Sequence, residues 1–345
     1  MDLQIALLLA QDGLTNGAVY ALLALALVLA FAVTRVIFIA QGEFVAYGAL
    51  TLVALQAGRV PGTVWLLLGG GALVTLLDGV AALRAGQGRR AAAVLVLNLL
   101  YPLALIVILR SWSVATAPMP AQIAMALALV VPLGPMIYRL AYQPLADAPV
   151  LILLIVSVAV HVVLVGLGLP LFGAEGARTA PFSEGTFSVG GIVLSAQTLW
   201  VIGCSALLMI VLFLFFEKTL YGKALRATAI NRAGARLMGI PTELAGKISF
   251  FLCALIGACS GILIAPLTTV YYDTGFLIGL KGFVGAIIGA LASYPIAAAG
   301  ALLVGLLESY ASFWASAFKE VIVFTLIIPF LLWRSLQQRH VEEEQ

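Results

Sequence analysis

In a chain whose side chains are 63% hydrophobic and only 10% charged, an ionisable group inside an apolar run is the first place to look for chemistry. Glu43 is the clearest case. It lies eight residues beyond Arg35, which at helical rise is about 12 Å deeper along the same segment, and Gln41 and Gly42 immediately precede it. A carboxylate at such depth needs a partner, water or a pathway, because its desolvation in hydrocarbon is costly. Lys281 stands near the end of a glycine-rich run, where its four-carbon stem can carry the ammonium towards the surface. Asp78 and Glu308 fall near span ends, within reach of water. His161 is alone, with no acid or second histidine near it in sequence, and reads as a hydrogen-bonded packing residue rather than a ligand.

These groups do not assemble into a catalytic motif. The chain has no G-x-S-x-G, no H-E-x-x-H and no G-x-x-x-x-G-K-[ST]; Gly222-Lys223 runs into Ala224 and Gly246-Lys247 into Ile248, so neither forms a phosphate cradle. No enzyme activity and no cofactor is expected of this chain, and any ATP and magnesium would be handled by another. Cys204, Cys253 and Cys259 sit in apolar runs as small hydrophobes, without redox or metal-site spacing. The net charge of +3 is small and gives no reason to invoke nucleic acid.

The elements that must position the polar groups are membrane helices. A mean hydropathy of +1.15 lies far outside the soluble range. Apolar runs recur at close to the length that crosses a hydrocarbon core of about 30 Å. The expected fold is an all-α polytopic bundle of about ten or eleven spans, at roughly 13–33, 37–56, 61–83, 91–110, 121–138, 150–172, 198–216, 248–267, 277–292, 296–312 and 321–336. Of the 18 basic residues, only Arg59, Arg110, Arg178, Lys281 and Lys319 escape the cytoplasmic side if the N-terminus is outside and the C-terminus inside. The N-terminus lacks a basic n-region and an A-x-A cleavage pattern and is expected to belong to the mature protein.

Two loops stand out between spans. Residues 173–197 form the longest one expected outside, with two short strands around Gly190 and Gly191. Residues 217–247 carry the one long polar stretch, expected in the cytoplasm. Within it Asn231 is a good N-cap, Gly239 suits the left-handed residue that ends a helix, and Pro241 blocks continuation. A helix of about two turns is marginal in water unless it packs on something. Ile230, Ala233 and Leu237 share one face, with Arg232 and Arg236 one turn apart beside them, so this helix is expected to dock on a partner. Further on, Gly275 and Gly279, Gly285 and Gly289, and Ala297, Ala301 and Gly305 make small-xxx-small stripes that let helices approach closely. The span at 277–292 is short, so a half-helix is an alternative to a full crossing.

Three segments resemble the permease subunits of branched-chain amino acid ABC importers. GLTNGAVYALLALALVLAF and IFIAQGE resemble that family's opening span and its I-N-F-A-H-G-E segment; Ala40, Gly42 and Glu43 match, while Phe38, Ile39 and Gln41 depart. YGKALRATAINRAGARLMGIP is similar to the family's cytoplasmic coupling segment. GLKGFVGAIIGALASYPIAAAGALLVGLLES resembles its glycine-rich block, with Ala290 and Ile296 in place of glycines. Residues 61–138 fit less well, holding three apolar runs where about one is expected, as if a helical hairpin were inserted.

The resemblance implies a multi-pass subunit of a bacterial-type inner membrane. It implies pairing with a homologous permease, two cytoplasmic ATPase subunits and an extracytoplasmic solute-binding protein. Asn231, Arg232, Ala233, Arg236, Leu237 and Gly239 would couple to the ATPase, and Gln41, Glu43, Gly279, Lys281, Gly285 and Gly289 would line or pack the pathway. An ion-coupled secondary transporter would need further charged sites at mid-membrane, and a lipid-acting membrane enzyme paired acid, His or Ser groups at one interface.

Overall fold

The computed structural model describes residues 3–111, 114–189 and 192–332. The chain is a helical bundle of α1 (Leu3–Thr34), α2 (Glu43–Gln56), α3 (Thr63–Arg84), α4 (Gly88–Ser111), α5 (Met119–Leu145), α6 (Val150–Phe172), α7 (Ala196–Lys218), α8 (Leu220–Ile230), α9 (Arg232–Leu237), α10 (Thr242–Ile264), α11 (Thr274–Ile288), α12 (Tyr294–Trp314) and α13 (Lys319–Thr325). Among the described residues, 8 of these are long and apolar enough to cross a membrane: α1, α3, α4, α5, α6, α7, α10 and α12. The other three expected spans are short. Residues 37–56 reduce to a tight turn, Ile39–Gly42, followed by α2; 277–292 becomes the 15-residue α11; and 321–336 begins as α13, its last four residues lying outside the described ones. Arg334 and Arg339, which count among the basic residues expected on the cytoplasmic side, also lie outside them.

Helix α1 is apolar all round, which is the signature of a helix with no face to water, whether it packs on protein or on lipid, and its burial decides between the two. In its most apolar stretch 89% of the residues are buried, and in α10 72%; α4 and α7 reach only 11%. The bundle is therefore built around α1 and α10, with α4, α6 and α7 as its rim. Close crossing depends on small residues, since no hydrophobic force drives helices together in lipid. At the α1–α12 crossing a Cβ on Gly17 would stand 3.0 Å from the Leu302 Cα. At the α11–α12 crossing a Cβ on Gly285 would stand 2.8 Å from the Ala301 Cα, and one on Gly289 2.7 Å from the Ala297 nitrogen. The expected glycine stripes thus lie at helix crossings.

The long loop before α7 pairs β1 (Thr186–Val189) with β2 (Ile192–Ser195) antiparallel, as the sequence led one to expect; Gly190 and Gly191 lie outside the described residues. The polar stretch differs from expectation. It is helical almost throughout, because Thr219 caps a helix of its own: its hydroxyl accepts from the Gly222 N–H at 3.0 Å and starts α8. Antiparallel packing gathers Arg35, the α3–α4 turn with Arg84, Arg89 and Arg90, and the α8–α9 segment at one end of the bundle, called the basic end below. Ser309 and Tyr310 of α12 donate to the Leu9 and Ala6 carbonyls of α1 at the opposite end.

Candidate functional site

At 1.5 Å per residue the 15 residues of α11 span only about 22 Å, so α11 cannot cross the bundle alone. It starts inside, against the Ile39–Gly42 turn. A Cβ on Gly279 would come 2.8 Å from the Gly42 Cα, so no larger residue fits where the two backbones meet. That contact fixes the residues on either side of Gly42. Glu43 is wholly buried and turned into the protein; its Oε1 lies 2.9 Å from Nδ1 of His161 on α6, and the imidazole stacks on Phe276 of α11 at 4.4 Å between ring centroids. The amide of Gln41 donates to the Cys253 carbonyl of α10 at 2.9 Å. Glu43 Oε2 and Gln41 Oε1 are buried with no hydrogen-bond partner among the described residues. Two acceptor oxygens with nothing donating to them mark the place in the bundle where a donor would be best received.

Sequence reasoning separated His161 from Glu43, and the structure joins them. They are 118 residues apart, and no local spacing could have linked them. The available signal was complementarity: one acid in an apolar run without a base and one histidine in another apolar run without an acid.

Lys281 does not reach water at its span end. Its Nζ lies 2.6 Å from Glu308 Oε1 and 3.1 Å from Glu320 Oε1, and the Tyr20 hydroxyl donates to Glu308 Oε2 at 2.6 Å. Glu308, expected near water, is buried with it. The reason is the shortness of α11, which sets Lys281, its eighth residue, inside the bundle, where α1, α12 and α13 converge. Asp78, also expected near water, is likewise paired: Arg139 Nε donates to it at 2.8 Å and ties α3 to α5. Of the proposed pathway residues, Gln41, Glu43 and Gly279 therefore share one corner, Lys281 sits in a separate ion cluster, and Gly285 and Gly289 serve the α11–α12 crossing.

At the basic end the six-residue α9 has the caps its sequence implies. Asn231 Oδ1 accepts from the Gly234 N–H at 2.8 Å, and Gly239 takes φ +79° beyond the helix end. Ala235 is its buried contact. Arg232 donates to the Ala146 carbonyl at 2.8 Å; Arg236 donates to the Thr242 hydroxyl at 3.0 Å and lies 3.7 Å from Asp147. Both guanidiniums thus fasten α9 to the body of this chain. What projects is apolar: Ile230 is 79% exposed, Leu237 88% and Met238 83%, with Ala233 exposed beside them.

Residues 9–331 match the family model described as "Branched-chain amino acid transport system / permease component". The chain belongs to that family. It is a multi-pass helical permease, similar to the high-affinity branched-chain amino acid transport system permease protein LivH of Escherichia coli K12 at 28% identity over 57% of this chain and 66% of that protein. It is similar to BraD of Pseudomonas aeruginosa at 29% over 58% of this chain and 68% of that one, and to a probable LivH of Methanocaldococcus jannaschii at 32% over 53% and 60%. The permease thus spans 66% of the length of the first of these relatives. The solved structure of PsaBC from Streptococcus pneumoniae in complex with Fab aligns with 97% of this chain and 95% of its own at 13% identity and a TM-score of 0.39, a likeness too distant to fix any detail.

Proposed function

We propose that this permease is the membrane pathway of a binding-protein-dependent ABC importer for branched-chain amino acids or related small solutes, and has no ATPase site of its own. It would pair with a homologous permease, receive solute from an extracytoplasmic binding protein and be driven by two cytoplasmic ATPase subunits that use ATP and magnesium. The basic end would face the cytoplasm, with the N-terminus outside. The observation that carries this reading is α9. A capped helix too short to stand alone is anchored through its arginines and holds Leu237 out from the surface, with Ile230 just before it and Met238 just after it projecting alongside. Exposed apolar clusters of that kind mark contact with another protein.

The test is Leu237→Asp. At a site this exposed the change should leave folding within about 0.5 kcal/mol. In an interface it would bury an unpaired charge at a cost of about 3 kcal/mol or more, roughly a hundredfold in affinity. The variant should reach the membrane in normal amount, yet lose co-purifying ATPase and substrate uptake together. Normal values of both would show that α9 is a solvated connector.

A further inference from the structure

A cavity of about 780 Å³ opens at the basic end between α1, α7, α8, α10 and the turn after α11. Its walls are apolar, with Leu25 and Leu29 of α1, Met209, Leu212 and Phe216 of α7 and Ile256 of α10 among them. Two charged residues line it, Arg35 and Arg226, and both are positive. The mouth has an unusual backbone. Arg35 at φ +61°, and Ala290 and Leu291 at φ +56°, are the non-glycine residues with positive φ among the described ones, and all three line this cavity. Arg35 is exposed and its guanidinium makes no hydrogen bond or ion pair among the described residues. Arg226 lies 3.1 Å from Glu217, but that pair is half exposed and so holds loosely.

An occupant suited to this cavity must be apolar over most of its length and anionic at one end. We infer that one anionic phospholipid of the leaflet at the basic end seats here, with an acyl chain between α1 and α7 and its phosphate between Arg35 and Arg226. A phosphate accepts from guanidinium in a planar, two-point geometry, which is why arginine suits it. Other occupants fit the charge less well. A second copy across a two-fold axis would bring the same positive rim against itself. The chain's own end, residues 333–345, carries Glu342, Glu343 and Glu344 but no apolar run to fill the walls. Leu225, Ala229 and Ile230 of α8 also line the cavity, so the lipid would touch the helix that leads into α9. The site rests on the membrane placement of the chain and not on the ATPase reading.

The experiment uses the full chain purified in detergent, with bound lipid counted by native mass spectrometry and stability followed by thermal unfolding. The probes are phosphatidylglycerol, phosphatidylcholine with the same acyl chains, and inorganic phosphate. Phosphatidylglycerol should be retained and raise the melting temperature; phosphatidylcholine should be retained less, and inorganic phosphate should do nothing. Arg35→Gln and Arg226→Gln should each weaken phosphatidylglycerol binding about fivefold, the loss expected for one basic residue at an anionic headgroup. Ala32→Trp, which fills the cavity and keeps both arginines, should weaken it too. The inference fails if the two lipids are retained alike, if inorganic phosphate stabilises as well as the lipid, or if the folded variants bind phosphatidylglycerol like the unaltered chain.

Discussion

The acid at position 43 and the histidine at 161 form one unit, in which a fully buried carboxylate meets a half-buried imidazole. Replacing Glu43 with Leu removes the acceptor and leaves the imidazole nitrogen unpartnered, a cost of about 1–3 kcal/mol beyond any packing change. Glu43→Gln keeps the size and an acceptor oxygen, so it should fold near normally. If the pair lines the pathway, Glu43→Leu should cut uptake more than tenfold at normal membrane abundance. Combining it with His161→Leu should cost less than the two singles summed, by about 0.5–3 kcal/mol in stability, since residues in contact couple. Normal uptake by Glu43→Leu, or strictly additive singles, would remove this role. The need for a partner at residue 43 was legible from its depth along an apolar run. The identity of the partner was not, because tertiary packing alone brings α6 against α2. The same limit hid the Glu308 and Glu320 carboxylates around Lys281, whose distance from a span end was readable but whose surroundings were not.

Among the elements, α11 depends most on its small residues. A side chain at Gly285 would begin 2.6 Å from the Ala301 Cβ and one at Gly289 2.6 Å from the Ala297 Cβ, with helix backbone directly behind. Nothing there can rotate away, so leucine at either position must part α11 from α12, at more than the roughly 1–3 kcal/mol of ordinary overpacking. Gly285→Leu and Gly289→Leu should therefore give no monodisperse peak on size exclusion after extraction. Ala299→Leu, on the exposed side of α12, should behave normally; equal behaviour of all three would end the close-packing account. Four-residue spacing made these contacts readable in sequence. It did not show that α11 is enclosed on nearly every side: Ala286, between the two glycines, is fully buried, and leucine there is expected to be harmful too. Helix α8 was missed for a different reason, since its polar composition reads as a loop unless Thr219 is taken as a cap.

For the whole molecule, hydropathy placed the helices well because a bilayer admits few other structures for a long apolar chain. It placed α2, α11 and α13 less well, because short segments held by neighbours need not meet a length rule. The three apolar runs of residues 61–138 are the helices α3, α4 and α5, and the Asp78–Arg139 bond ties α3 to α5. The orientation we propose, with the basic end inside, rests on charge: the α3–α4 turn carries Arg84, Arg89 and Arg90, and basic residues in short loops are retained on the inner side. This orientation is testable with single cysteines in a background where Cys204, Cys253 and Cys259 are replaced by alanine. Gln87→Cys lies exposed in that turn and Glu184→Cys exposed in the loop before β1. In intact cells, a membrane-impermeant maleimide should label position 184 and spare 87, which should react only after the membrane is opened. Labelling of 87 in intact cells with protection of 184 would invert the molecule, place α9 outside, and leave no cytoplasmic motor for it to meet.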